Sequence, residues 1–297
     1  RKEMSYICNL CPRKCEAVRN DTENIGGVCS MPYNLTLARA SKHMWEEPCI
    51  SGTNGSGTVF FSGCQLKCVY CQNSKISHER FGKAISERKL SEIFKKLERE
   101  GVNNINLVSP TPFVPMIIEA LKLYKPAVPI VYNSGGYERV ETLEMLREYV
   151  DIYLLDYKYN SPERALKYSK AADYPEVVQK AILKAYELTG EAEYNKDGIM
   201  QRGTIVRHLL LPLGTRDAIS VMKWMKSNCP KAVFSLMSQY VPQKGNEFPE
   251  LSRRVTKREY EKVVNEMIDL GLDGYVQDLE SADIGFTPPF DLTGIQT

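Results

Sequence analysis

Histidine is scarce: the 297 residues hold three, beside two tryptophans. So few imidazoles argue against a histidine-ligated zinc enzyme. Long hydrophobic runs are absent as well. No apolar stretch approaches the ~20 residues that a helix needs to cross a bilayer, so no membrane partner is expected. Charge of one sign is missing too. Lys and Arg total 39 against 37 acids, a net +2, which argues against a nucleic-acid partner held by bulk charge. Residues 1–5 are polar and abut a cysteine group, unlike a signal peptide. The sequence opens without Met, and we expect that a short leader was removed or trimmed. The glycine-rich stretch Ser51-Gly-Thr-Asn-Gly-Ser-Gly57 lacks the Lys-Ser/Thr ending of a phosphate loop and reads as a turn entering a strand. With 43% hydrophobic and 26% charged residues, the core is ample and disorder is not expected.

What the sequence has in excess is cysteine, nine in all. Cys8, Cys11, Cys15 and Cys29 form one group, and Cys64, Cys68 and Cys71 a second. Cys49 and Cys229 stand alone and read as ordinary buried thiols, since free cysteine packs like a small hydrophobe. A disulfide framework belongs to small secreted chains with weak cores. Spacings of two and three residues instead let neighbouring thiolates converge on one metal centre. The expected compartment is therefore a reducing cytoplasm.

Three regions are expected: a Cys-rich metal-binding extension over 1–57, irregular through residue 50, a strand–helix region over 58–277, and a C-terminal strap over 278–297. Strands are predicted at 58–62, 104–108, 129–132, 151–155, 204–210 and 232–237, each short, apolar and bounded by turn residues or helix ends. Leu90, Ile93, Phe94 and Leu97 recur at helical spacing before Gly101. Thr256-Lys-Arg-Glu259 is a capping box opening a helix with a Tyr260, Val263, Val264, Met267 and Ile268 stripe. Further helices are expected at 175–188 and 217–228. Such alternation implies an α/β fold with a parallel sheet and right-handed crossovers. About six units fit after residue 58, so a partial (β/α)6 TIM-type barrel is the first choice and an open doubly wound sheet the second. In either, chemistry belongs at the carboxyl ends of the strands. The strap carries Phe286, Pro288, Pro289 and Phe290 and is too apolar for a free tail; it lies either over the barrel mouth or along the outside.

The first predicted strand runs into Ser62-Gly-Cys64-Gln-Leu-Lys-Cys68-Val-Tyr-Cys71-Gln-Asn73. Three thiolates cannot complete a four-iron cubane, so one iron keeps an open coordination position, as catalytic metal sites do. The competing reading is a zinc knuckle, but structural zinc wants a fourth ligand.

This C-x3-C-x2-C loop, with Tyr70 in the aromatic slot, resembles the signature of the radical S-adenosylmethionine (SAM) superfamily. The segments Glu46-Glu-Pro-Cys-Ile-Ser51, Ser56-Gly-Thr-Val-Phe-Phe-Ser-Gly-Cys64, Tyr70-Cys-Gln-Asn73 and Cys8-Asn-Leu-Cys-Pro-Arg-Lys-Cys15 look like the PflX-type proteins. These are relatives of the activating enzymes of pyruvate formate-lyase and other glycyl radical enzymes. The resemblance implies a 4Fe-4S cluster on Cys64, Cys68 and Cys71 whose unique iron binds the amino and carboxylate groups of SAM. One electron, from a flavodoxin or ferredoxin-type donor, cleaves SAM to methionine and a deoxyadenosyl radical. In an activating enzyme that radical takes hydrogen from a glycine of a glycyl radical enzyme. Another peptide or a small molecule is the alternative substrate, and a non-catalytic iron–sulfur electron carrier or metal-binding adaptor the alternative of another class.

The resemblance also places cofactor residues. Tyr70 lies near the adenine. Where the family has Gly-Gly-Glu after strand two, this chain has Ser109-Pro-Thr-Pro-Phe113, leaving Ser109 and Thr111 as candidates for the SAM amino group. Asn133 and Ser134 take the place of the activases' turn after strand three and reach the SAM carboxylate or a companion cation. Asp156-Tyr-Lys158 is similar to the activases' Asp-Leu-Lys. There Lys158 is a fixed positive charge for a carboxylate, and Asp156 holds the ammonium group, a cation or substrate. Within Val206-Arg-His-Leu-Leu-Leu-Pro212, resembling the strand whose basic residue touches the ribose, Arg207 and His208 face opposite ways. Of the two, His208 is favoured as the inward residue. A surface pair for Asp156 and Lys158, plain turn chemistry for Asn133 and a core histidine at 208 are the competing readings. Cys8, Cys11, Cys15 and Cys29 supply four thiolates, enough for a closed structural zinc or a second iron–sulfur cluster. A structural metal is expected, with zinc slightly ahead. Arg13, Lys14 and Arg19 would offset thiolate charge or dock an acidic partner.

Overall fold

The computed structural model describes residues 6–243, 247–279 and 287–295. The amino-terminal segment contributes three two-residue strands, β1 (Tyr6–Ile7), β2 (Val18–Arg19) and β3 (Asn24–Ile25), paired antiparallel in that order. The main sheet contains β4 (Leu35–His43), β5 (Ser56–Phe61), β6 (Lys83–Ile85), β7 (Ile105–Val108), β8 (Ile130–Ser134), β9 (Ile152–Asp156), β10 (Glu193–Tyr194), β11 (Met200–Leu209), β12 (Val233–Met237) and β13 (Gly274–Val276).

All six predicted strands are present, as β5, β7, β8, β9, β11 and β12. They pair parallel and lie side by side in chain order, with β13 extending the row. A doubly wound sheet would reverse direction partway. This one winds a single way and stays open, which is the partial barrel expected first. One region differs from expectation. Residues 35–43, read as part of an irregular stretch, form the longest strand of the amino-terminal fifty. β4 pairs antiparallel with β5 and carries β6 on its other side.

Helices cover the outer face. Glu87–Arg99 is opened by Ser86, whose hydroxyl accepts from the Lys89 amide, and buries Leu90, Ile93, Phe94 and Leu97. Lys257–Asp269 carries both halves of the Thr256–Glu259 capping box. Tyr174–Thr189 and Thr215–Asn228 fill the remaining predicted positions.

The two faces of the strands bury different clusters. Val206, Leu210, Tyr153 and Leu155 belong to the large core shared with the helices. Val131, Ile152, Leu154, Ile205 and Val233 form a separate cluster with Cys49 and Ile50. The short helix Pro48–Ser51 thus plugs the interior. It is tied there by Asn104 and Asn103, whose side-chain amides donate to the Ile50 and Ser51 carbonyls at 2.8 and 2.7 Å. The described strap residues run beside β4: Ala40 N donates to Thr293 O at 2.9 Å, and Leu292 N to Ala38 O at 3.0 Å. Phe290 is buried with Phe60, Ala38, Ile76 and Val108. Phe286 lies outside the described residues. No helix among the described residues is long and apolar enough to cross a membrane.

Candidate active site

A cavity of about 240 Å³ opens at the carboxyl ends of the parallel strands, an order of magnitude above what one water needs. Every residue placed there from the sequence lines it except two: Cys64, Cys68, Tyr70, Cys71, Ser109, Asn133, Ser134, Asp156 and Lys158 all contribute.

The thiols come from the loop after β5. Each sulfur has a donor aimed at it: Ser77 Oγ to Cys71 at 3.2 Å, Ser169 Oγ to Cys68 at 3.0 Å, and Leu66 N to Cys64 at 3.4 Å. Donors of this kind suit thiolates. Burial, and then the neighbouring Cys68 and Cys71, push the Cys64 thiol up to about 12. Burial and Cys68 raise Cys71 as well. Thiols raised in this way ionise readily only beside a cation, so the donor set fits a metal centre. Tyr70 stands behind the thiols, edge-on to Tyr159, Tyr168 and Tyr240, and its hydroxyl accepts from Tyr159 at 2.6 Å.

The same cavity holds a charged cradle. Arg207 Nε donates to Asp156 Oδ1 at 2.8 Å, Nη2 to Asn133 Oδ1 at 2.6 Å and Nη1 to Glu46 Oε2 at 3.2 Å. Lys158 Nζ donates to Asp156 Oδ2 at 2.6 Å. Burial alone would raise Asp156, but Arg207 and Lys158 outweigh it and hold the carboxyl below its ordinary range. Burial likewise disfavours the charged form of Lys158, yet Asp156 and the Cys68 and Cys71 sulfurs together raise it. These are cavity groups, not a surface pair.

The expectation for His208 is reversed. Arg207 turns into the cavity because it sits two residues from Ile205, which already faces the interior plug. His208 shares the opposite face with Val206; it is 3% exposed and its Nδ1 donates to the Tyr157 carbonyl at 2.6 Å. It is a satisfied core histidine. Thr111 is also off the main cavity. Its hydroxyl donates to Glu138 Oε1 at 2.7 Å and accepts from Gln65 Nε2 at 3.1 Å. Glu138 receives Tyr132 and Gln65 as well, and burial lifts its carboxyl to about 7. Sequence reasoning missed Glu46 and Glu138. The signal for Glu46 was its position before the plug in Glu46-Glu-Pro, an acidic pair next to a buried segment.

The amino-terminal thiols Cys8, Cys11, Cys15 and Cys29 line a second, smaller cavity, also bounded by Thr111. Of the nearby basic residues, Arg13 clamps this segment to the barrel. Its Nε donates to Gln65 O at 2.8 Å and its Nη2 to Ser169 O at 2.7 Å, with its guanidinium over the Tyr137 ring.

Comparisons with known proteins agree with this geometry. The sequence profile of the radical SAM superfamily matches residues 58–201. The chain is 30% identical over 275 residues to the uncharacterised protein MJ0674 of Methanocaldococcus jannaschii, covering 89% of this chain and 75% of that one. It is 26% identical over 180 residues to a pyruvate formate-lyase-activating enzyme of Listeria monocytogenes serovar 1/2a, covering 56% of this chain and 66% of that one. Among solved structures, SuiB of Streptococcus suis bound to S-adenosylmethionine shares the fold at 15% identity and a TM-score of 0.52. The match takes in 74% of this chain but only about half of SuiB, 49%. Three cysteines on the first strand's loop, a singly wound open barrel and these matches place the chain in the radical SAM superfamily, to which it belongs.

Proposed function

We propose that this radical SAM enzyme abstracts a hydrogen atom from a glycine of a partner glycyl radical enzyme, as a PflX-type relative of the activating enzymes. The observation that carries the chemistry is the shared cavity: three thiols line it together with Asp156, Lys158, Arg207, Asn133 and Glu46. Cys64, Cys68 and Cys71 would hold the 4Fe-4S cluster, and the cradle the polar end of SAM. When bound, the cluster supplies one electron to SAM and so a deoxyadenosyl radical. Lys158 and Arg207 offer fixed positive charge to a carboxylate, and Glu46 and Asp156 offer acceptors to an ammonium group. Tyr70 and the Tyr159, Tyr168 and Tyr240 rings exclude water behind the thiols. A protein substrate is supported by the Listeria activating enzyme and by apolar residues where the cavity opens: Trp45 and Pro288 line it, and the neighbouring Met44 is 41% exposed.

The test is anaerobic reconstitution with iron and sulfide, then dithionite and SAM. Release of 5′-deoxyadenosine is expected, lost when Cys64, Cys68 or Cys71 is replaced by Ala. A glycine-centred radical signal should then appear in a co-purified glycyl radical protein. Deoxyadenosine formed while such partners stay radical-free would move the substrate to another peptide or small molecule. No deoxyadenosine at all would leave an electron carrier.

A further inference from the structure

The helix Pro162–Ser169 ends against the cluster loop. Ser169 is 1% exposed, and its hydroxyl donates to Cys68 Sγ at 3.0 Å. The Val69 amide, next to Cys68, donates to the Tyr168 carbonyl at 2.9 Å. A helix leaves its last carbonyls without partners of its own, so groups from outside must take them. Here the chain turns away at Lys170, whose φ of +50° is left-handed. The Lys170 amide takes the Leu166 carbonyl and the Ala171 amide the Ala165 carbonyl. The Ser169 and Lys170 carbonyls lie beyond the reach of that turn and go to another segment.

Arg13 takes both. Its Nη2 donates to Ser169 O at 2.7 Å, its Nη1 to Lys170 O, and its Nε to Gln65 O at 2.8 Å. A cation suits this end of a helix, where the macrodipole is negative. One planar guanidinium thus ties the helix end to the residue that follows Cys64, and the Tyr137 ring holds it from below, 5.3 Å from ring centroid to guanidinium carbon. Arg13 stands between Cys11 and Cys15, on a turn where Lys14 has φ +44°. The amino-terminal segment touches the cluster loop twice more. Lys67 Nζ donates to Ser30 Oγ at 3.3 Å, and a Cβ on Gly63 would lie 3.2 Å from the Cys29 carbonyl oxygen.

We propose that Arg13 is a positioning residue for the cluster. By fixing the Ser169 and Gln65 backbone it holds the Ser169 hydroxyl on Cys68, and through that bond it sets the reduction potential of the centre. The inference rests on the function proposed above, with Cys68 as a cluster ligand. A hydrogen bond to a ligand sulfur stabilises the more negative, reduced form and so raises the potential. Three carbonyls held by one rigid fork are a geometry that a lysine ammonium does not reproduce. The amino-terminal segment thereby supports the catalytic loop without entering the main cavity.

The experiment is an anaerobic redox titration of the full, reconstituted chain, followed by electron paramagnetic resonance. The signal read is the one that SAM perturbs, since it belongs to the centre with an open coordination position. Arg13→Ala and Ser169→Ala are each expected to move its midpoint to more negative potential. Arg13→Ala made on top of Ser169→Ala should move it no further, because both act through one bond. Arg13→Lys keeps the charge but loses the fork, and should recover only part of the shift. An unshifted midpoint in Arg13→Ala would overturn the proposal. So would an equal shift with and without the Ser169 hydroxyl, or full recovery by lysine, either of which makes Arg13 a plain charge. Should Arg13→Ala fail to fold, Arg13→Lys gives the second reading: its midpoint must move in the direction of Ser169→Ala, and an unmoved one refutes the assignment. A shifted midpoint in a chain that activates no glycyl radical protein would fail only the proposed substrate. An unshifted one in a chain that does activate such a protein would fail only the role of Arg13.

Discussion

A guanidinium between two carboxylates inside a barrel is stable only while all three remain. Arg207 joins Asp156 and Glu46, and burial raises the Glu46 carboxyl despite that contact. Replacing Arg207 by Met would strand two buried acids, a change expected to cost about 3–5 kcal/mol. Chemical denaturation of the variant measures this. Arg207→Lys should recover part of the charge but not the fork that spans Asp156, Glu46 and Asn133. Glu138 gives a pH signature of its own. Its ordinary value is 4.5 and its folded value about 7, because burial disfavours the carboxylate. Between those values the folded chain keeps a proton that the unfolded chain has released. The stability it contributes is thus full below about 4.5 and is lost as pH rises towards 7, by on the order of 3 kcal/mol. Glu138→Gln should flatten this part of a stability-versus-pH curve; an unchanged slope would exclude Glu138 as its source. Of these residues Asp156 and Asn133 were placed at the site from the sequence, Arg207 only as the less favoured of two alternatives, and Glu46 and Glu138 not at all. Alternation along a strand says that Arg207 and His208 part ways. Which one turns inward is set by the pairing of Arg207 with Asp156 and Ser235 across neighbouring strands, and that register is written nowhere in the local sequence.

At the scale of elements, the parallel strands were legible because each is a brief apolar run between helical periods, and Thr256–Glu259 marked a helix start by its own chemistry. β4 was not. Its first four residues, Leu35, Thr36, Leu37 and Ala38, are all buried, so it shows no alternation, and its neighbours in sequence are cysteines and turns. The turn after β8 shows how an element end fixes the site. Gly136 has φ +74°, and a Cβ there would lie 2.2 Å from the Asp156 carbonyl oxygen. Two strand ends are held together at this point, since the Tyr174 hydroxyl bridges the Gly135 and Asp156 carbonyls at 2.9 and 2.7 Å. Gly136→Ala should therefore do more than strain one residue, which alone costs about 1–3 kcal/mol. It should push the end of β9 outward and carry Asp156 and Lys158 with it. We expect a lower melting temperature together with a loss of SAM cleavage larger than the lost stability explains. A variant that cleaves SAM normally despite melting early would separate this turn from the cradle.

The whole molecule joins two unequal parts. The barrel buries continuous apolar layers on both faces of its strands. Residues 6–34 contain only three two-residue strands and send only Cys29 and Met31 into the main core. The joints are Arg13 on the Gln65 and Ser169 carbonyls, Arg139 Nη1 on Asn9 O at 2.6 Å and Thr142 Oγ1 on Leu10 O at 2.7 Å. A segment with so little apolar core depends on whatever its cysteines bind, because ligand binding to the folded form adds directly to its stability. The barrel has no such dependence. Removing metal with a chelator under reducing conditions should therefore loosen the molecule in two stages. Limited proteolysis of the metal-free chain should cut first within residues 6–34 and leave a resistant fragment beginning near β4. The metal-loaded chain should resist at the same protease concentration, as should a chain with Cys64, Cys68 and Cys71 replaced by Ala that keeps metal on its amino-terminal thiols. First cuts inside the strand–helix region would show instead that the cluster loop holds the barrel closed, and that the amino-terminal segment is secured by its arginine clamps alone.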